Sequence, residues 1–402
     1  MEVFNMAYGI NAELLSSQAT TPVSTETVLV FIGNSEDSSG LNEPVLCHSL
    51  SEYEDIFGQA PENYSLTMAA KCFFELCNLS QAIFISVSND DDETVDSTAI
   101  IGSASSESGV YAVSKIYPKL GLVPSIVIPT VYEDNADVIA ALNSATSKIN
   151  GHFDSMFTFG VTEASNQVSN GIAQPTNINK TSNLERGIAC WPHVITASND
   201  VIPANVYIAC LLARADAEYN NIPMRTQGNL NASEISGIVL ASASSNKINL
   251  SEASATTLAD KGITSFINIG AGRFYSWGDS TSALTATGIS DERGRFTSTM
   301  RILLALGNRF QQVWRNEIDS PMTLSLRNDI LNEEQNYLDY LKSQGALIGY
   351  PKCEFRPDDN TIETIQSGRF YFTSILTATA PARYIDLKIA FTSKGYAVLL
   401  AE

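Results

Sequence analysis

The chain has 402 residues, 44% hydrophobic and 17% charged, with a formal net charge of −20. That length allows a sizeable core and two or three domains, and the surplus of acid argues against nucleic-acid binding because it repels phosphates. No apolar run approaches the roughly 18–20 residues that cross a bilayer, and the opening MEVFNMAYGINAELL, with neither a basic stretch nor a continuous apolar core, is expected to carry no signal peptide.

Residues 1–22 read as an extended arm. TETVLVFIG (25–33) is predicted as a buried strand, ended by the polar turn NSEDSSG. A short strand PVLCHSL (44–50) leads into a helix over 51–58, with Ser51 as N-cap and Glu54 at the capping-box position. An amphipathic helix over 64–79 and a strand over 81–88 follow. The acidic run NDDDETVD (89–96) lacks the glycine and distal glutamate of a calcium loop and is predicted as a solvated loop. Next come a helix near 107–120, a strand over 124–131, a helix over 134–150 and a strand over 154–161, then a polar surface loop over 163–186. Strands alternating with helices predict a parallel sheet covered by helices.

A helix over 203–219 starts with Pro203 in its first turn. Residues 235–260 read as a strand, a turn and a further short element. The strand SFINIG (265–270) ends in GAGRFYSWG, which resembles a phosphate loop only superficially, since no Lys-Ser/Thr follows. A helix over 291–316 carries five arginines and an apolar stripe of Phe296, Met300, Leu303, Gly307, Phe310 and Trp314. At about 100° per residue, Arg293, Arg301 and Arg315 share an arc of roughly 80° beside that stripe. A second helix over 324–344 has Thr323 as N-cap and Gly345 as its stop. Four alternating strands are predicted after it: 352–356, 361–365, 369–379 and 382–392. The end, YAVLLAE, is strand-like without an evident partner.

Charge follows the same division. Residues 1–110 hold 17 acidic residues against Lys71 alone, whereas 291–402 hold 14 acidic against 13 basic and most of the arginines. An acidic exterior with an arginine-bearing inner part suits a protein partner. The six cysteines (47, 72, 77, 190, 210, 353) form no CxxC pair and are expected to be buried free thiols. His48, His152 and His193 have no second ligand at metal spacing, so no metal or cofactor is expected. No GxSxG elbow occurs, which argues against a hydrolase and against an enzyme generally.

Four separated segments resemble one family. They are TETVLVFIGNSE with PVLCHSLSEYEDIFG, VIPANVYIACLLARADAEYNNIP, KGITSFINIGAGRFYSWGDST, and DSPMTLSLRNDILNEEQNYLDYLKSQGALIG. In order and spacing they are similar to contractile tail sheath proteins, which surround the tubes of phage tails, bacteriocins and injection systems. Pro203, Arg214, Asp216, Trp277, Gly278, Thr323 and Gly345 stand at motif positions. The chain departs after Gly278, where Asp279-Ser280-Thr281 replaces an Asn-Arg-Thr-like run.

The resemblance implies a fold class with a subtilisin-like α/β outer domain at 23–275, without a catalytic triad. An α+β inner domain spans 276–384, and arms at 1–22 and 385–402 exchange strands with neighbours. It implies hexameric rings stacked around a tail tube, with baseplate and terminator proteins as further partners. The extended sheath contracts to drive the tube through an envelope. Assembly in a host cytoplasm into a virion tail is implied, and no nucleic acid or membrane is a partner. Arg293, Arg301 and Arg315 become candidates for tube contacts. The rival reading is another self-assembling structural protein: tail tube, capsid or surface layer.

Overall fold

The computed structural model describes residues 26–60 and 63–400; the expected arm at 1–22 lies outside the described residues. Strand β1 (Leu29–Asn34) is buried along its whole length. It lies between β3 (Ala82–Ser88) and β4 (Ile126–Pro129), parallel to both. Beyond β4 follow β5 (Met156–Gly160), β6 (Gly187–Cys190) and β7 (Ile263–Asn268), again parallel. Antiparallel strands close both edges, β2 (Val45–Cys47) on β3 and β8 (Phe274–Trp277) on β7. The order is therefore β8-β7-β6-β5-β4-β1-β3-β2. A mostly parallel sheet needs helices on its faces, which is why its strands read as continuous apolar runs rather than alternating ones.

Phe31, Phe84, Tyr53 and Phe57 are fully buried and stack near the β1–β3 pair; such side chains contribute roughly 1.5–3 kcal/mol each on burial. Helix α1 (Leu50–Phe57) is capped by Ser49, which accepts from Glu52 N at 3.2 Å, while Glu52 accepts from His48 N at 2.7 Å. The cap therefore sits two residues before the expected Ser51. Both serines have a glutamate three residues on, and the pair that lets Leu50 enter the helix prevails. Helix α2 (Ser65–Lys71) passes into a π turn (Cys72–Leu76). The acidic loop is less free than expected: Asp92 accepts from Ser65 N at 3.0 Å, and Asp96 caps the helix Ser97–Ile101. Helix α3 (Ala136–Ala145) covers the sheet, and α4 (Ala204–Glu218) is buried along nearly all its residues against β4, β5 and β6. Pro203 is its N-cap rather than part of its first turn. The stretch expected as a plain loop at 163–186 contains a two-stranded hairpin, Val168–Ser169 with Ile172–Ala173. Helix α5 (Glu252–Asp260) packs on β7. The glycine-rich GAGR is the turn between β7 and β8: Ile269 N donates to Arg273 O at 3.0 Å, and Gly272 stands at φ 71°.

A second, smaller core gathers Ile222, Ile302, Leu338, Leu341, Ala346, Leu347 and Cys353. Helix α6 (Thr297–Val313) bridges the two cores: Met300 and Leu304 face the large one, Ile302 and Leu306 the small one. Gly307, placed in the expected stripe, is exposed. Helix α7 (Leu324–Ser343) is capped by Thr323, whose hydroxyl accepts from Leu326 N at 3.1 Å, and beyond its end Gly345 takes φ 83°. Strands β9 (Leu347–Glu354) and β10 (Thr373–Ala378) pair antiparallel.

Here the expected four strands become two. Residues 361–365 start a short helix instead, α8 (Ile362–Gln366), because Thr361 accepts from Thr364 N at 3.3 Å and caps it. Residues 382–392 carry no strand pairing among the described residues, and Ser393–Leu400 form a 3₁₀ helix rather than a strand.

Candidate functional site

Arg301 points from α6 into the interior and is 5% exposed. Its Nη1 donates to Asp216 Oδ1 at 3.0 Å, its Nη2 donates to Oδ2, and Thr27 Oγ1 donates to the same carboxylate at 2.6 Å. The end of α4 is thus tied to the start of α6 by a two-pronged ion pair. This removes Arg301 from the expected tube-facing set. A helical arc fixes angle but not depth, and this face of α6 is covered. The shared arc also dissolves, because Arg293 and Arg315 lie in the turns Glu292–Gly294 and Arg315–Glu317 that flank α6. Both are exposed: Arg293 pairs with Asp291 at 2.8 Å, and the Arg315 guanidinium lies 5.1 Å from the Tyr117 ring centroid.

The remaining arginines of this region are internal struts. Arg309 bonds Glu334 at 3.0 Å and Glu333 at 2.7 Å, and sits 3.9 Å from the Tyr337 ring centroid, joining α6 to α7. Arg214 reaches Glu234 at 2.7 Å and the Asn231 carbonyl at 2.7 Å.

The Trp277-Gly278-Asp279 corner is a hub. Trp277 ends β8 and donates from Nε1 to Thr256 Oγ1 at 3.2 Å. Gly278 has φ 135°, and a Cβ there would come within 3.0 Å of Thr264 Cα, so a side chain is excluded. The Asp279 carbonyl accepts from Thr297 N at 3.1 Å at the start of α6, and its carboxylate faces Arg295 at 4.0 Å and Arg383 at 3.7 Å. Asp279, in the Asp279-Ser280-Thr281 run, therefore lies between two arginines.

Arg383 also pairs with Asp260 at 2.6 Å, and Thr379 is bonded to Ala346 O at 3.0 Å and Gly345 O at 2.6 Å. Past this clamp the chain leaves the body. Ile385, Leu387, Ile389 and Phe391 are 87%, 83%, 86% and 83% exposed, alternating with Asp386, Lys388 and Ala390. That is the pattern of a half-buried strand, displayed with nothing buried. The β9–β10 ribbon also exposes Ile348, Tyr350 and Ile375, and its sheet has only these two strands among the described residues.

The histidines are engaged elsewhere. His193 Nε2 lies 3.1 Å from Glu133 and Nδ1 3.9 Å from Glu163, His152 packs on Phe153, and His48 is at the surface. No serine or cysteine side chain hydrogen-bonds a histidine among the described residues. Sequence reading missed the His193 cluster, whose members come from two loops and the start of the strand His193–Thr196, although Glu133 and Glu163 follow parallel strands where α/β folds gather polar groups. It also missed that Cys72, Cys77 and Cys210 converge, with sulfurs within 4.8 Å of one another.

No protein-family model and no curated protein matches the sequence. Solved structures do. A chain of the anti-feeding prophage baseplate superposes with TM-score 0.68 at 15% identity, covering 97% of this chain and 100% of that one. The sheath of the PVC extracellular contractile injection system, in its contracted state, gives 0.67 at 15% identity over 98% and 100%. A sheath tail protein from Listeria innocua gives 0.57 at 10% identity over 89% and 96%. Over nearly its whole length the chain has the fold of contractile tail sheath proteins.

Proposed function

We propose that this chain is a sheath subunit of a contractile injection apparatus, polymerising around a tube as stacked hexameric rings. The reading rests most on one observation: a segment of alternating apolar residues, 385–391, clamped at its root by Arg383 and without a strand partner among the described residues. Buried in a neighbour's sheet, Ile385, Leu387, Ile389 and Phe391 contribute roughly 1.5–3 kcal/mol each. The two-stranded β9–β10 ribbon, marginal alone, is the acceptor that gains from strand addition.

In this reading the parallel-sheet part is the subtilisin-like outer layer, and α6, α7 and the ribbon form the inner layer against the tube. Because β8 runs through 274–277, the division falls after the Trp277 hub rather than at 275. The arm at 1–22 is the second strand donor. Assembly stores a strained extended lattice, and its relaxation shortens the sheath without nucleotide. The acidic outer layer and the exposed Arg293 and Arg315 fit a tube as the charged partner.

Electron microscopy of the purified full chain tests this. Broad, contracted-type tubes are expected from the full chain, and folded soluble monomers from a 385–402 deletion. Narrow tubes or flat lattices favour the rival structural roles, and normal tubes from the deletion overturn the arm.

A further inference from the structure

Cys72 and Cys77 bound one π turn, and Cys210 comes from the buried helix α4. Cys72 Sγ lies 4.0 Å from Cys210 Sγ, and all three sulfurs fall within 4.8 Å of one another. The π turn is what makes the cluster. Its bond is explicit, Cys77 N donating to Cys72 O at 2.9 Å. On an α-helix, positions five apart diverge by roughly 140°. The wider π turn, at roughly 80° per residue, cuts that to about 40°. A spacing that is no metal signature on a regular helix is thereby turned to one side, and Cys210 closes the triangle. π turns recur at functional sites.

The dimensions suit an ion. Metal–sulfur bonds of about 2.3 Å place three sulfurs roughly 4 Å apart, so little contraction is needed. Three thiolates are soft donors, which select zinc and its heavier congeners over magnesium or calcium.

We propose that Cys72, Cys77 and Cys210 form a three-thiolate site for one divalent thiophilic ion of the zinc–cadmium class. Three sulfur–metal bonds form, the protons of all three thiols pass to solvent, and nothing is oxidised or reduced. One net negative charge remains on the cluster, toward Arg214. Because the three residues are at most 1% exposed, the ion enters during folding, before the site closes. It welds the π turn to α4, the helix that also carries Arg214 and Asp216.

The test refolds the full chain from denaturant with cadmium chloride alone, desalts it and counts metal by mass spectrometry. One cadmium per chain is expected, with sulfur-to-cadmium charge-transfer absorbance and a raised Tm. Cys72→Ser, Cys77→Ser and Cys210→Ser each lose the ion and the absorbance, while Cys190→Ser, also buried, keeps both. A wild-type chain that regains its native circular dichroism without bound cadmium overturns the proposal, whether or not the serine variants fold. So does cadmium retained by all three variants, or a Cys72–Cys210 disulfide found in place of the ion. No readout depends on assembly, so this result stands apart from the sheath reading.

Discussion

Two stretches of this chain carry the same kind of side chain to opposite ends. In β1 and β3, Leu29, Val30, Phe31, Ile83, Phe84 and Ile85 are fully buried, each strand flanked by others of its own chain. In 385–391, Ile385, Leu387, Ile389 and Phe391 are more than four-fifths exposed. Hydrophobicity does not separate them; among the described residues, a neighbouring strand does. The first region has its flanking strands within the described chain, and the second, with the composition of a core, has none there.

If the first region closes on itself, its ionic ties should be costly to cut. The largest effect is expected at the join between α4 and α6. Asp216→Ala leaves the Arg301 guanidinium buried and unpaired, which should cost about 3–5 kcal/mol in urea unfolding. Arg301→Met combined with Asp216→Leu, which removes both charges, should recover most of that loss. A single-variant cost below about 1 kcal/mol would mean that water reaches the pair and that the two cores are loosely joined.

The closed region was also the more legible in sequence. Alternating strands and helices with apolar runs led to the parallel sheet, and Thr323 and Gly345 marked the ends of α7, because those signals are local. What failed depended on partners. The stretch 382–392 has the period of a strand, and period alone does not say whose edge it meets. Residues 361–365 alternate too, yet a capping threonine turned them into helix. Arg301 looked like a surface charge because Asp216 stands 85 residues away. The exchange of Asn-Arg-Thr for Asp279-Ser280-Thr281 left open which salt bridge formed, and Arg383 answers it from the far end of the chain. The cysteine triangle needed a π turn that the spacing did not announce.

A moderate effect is expected where the closed region meets solvent, at the cluster near the ends of β4 and β5. Burial draws the His193 pKa down, but the hydrogen bond to Glu133 and the charges of Glu133, Glu163 and Asp134 outweigh it, so the net shift is upward. The folded state then holds the proton more tightly than the unfolded chain. This stabilisation is complete below the unfolded value of about 6.5 and is lost as pH rises through the folded pKa. His193→Gln should cost about 1–2 kcal/mol near pH 6, the scale of a charged hydrogen bond. The gap from wild type should narrow steadily as pH rises above the unfolded value and through the folded one. A gap independent of pH would show that the imidazole acts by packing alone.

The smallest effect on the monomer sharpens the comparison from the open side. Arg293 and Arg315 are exposed, one held by Asp291 and the other lying over Tyr117. Arg293→Gln and Arg315→Gln should shift unfolding by no more than about 0.5 kcal/mol, as surface charges do. Their weight should appear only in assembly. In the proposed assembly each contact would repeat in every subunit, so an increment too small to detect in one chain would accumulate along a polymer. The double variant is therefore expected to keep the wild-type Tm while forming fewer or shorter tubes in the presence of a tube partner, with the deficit largest at low salt and shrinking as salt screens the wild-type contacts. Unchanged tube formation at both low and high salt would place these two arginines outside the interface and leave the assembly to the exposed 385–391 segment and the β9–β10 ribbon.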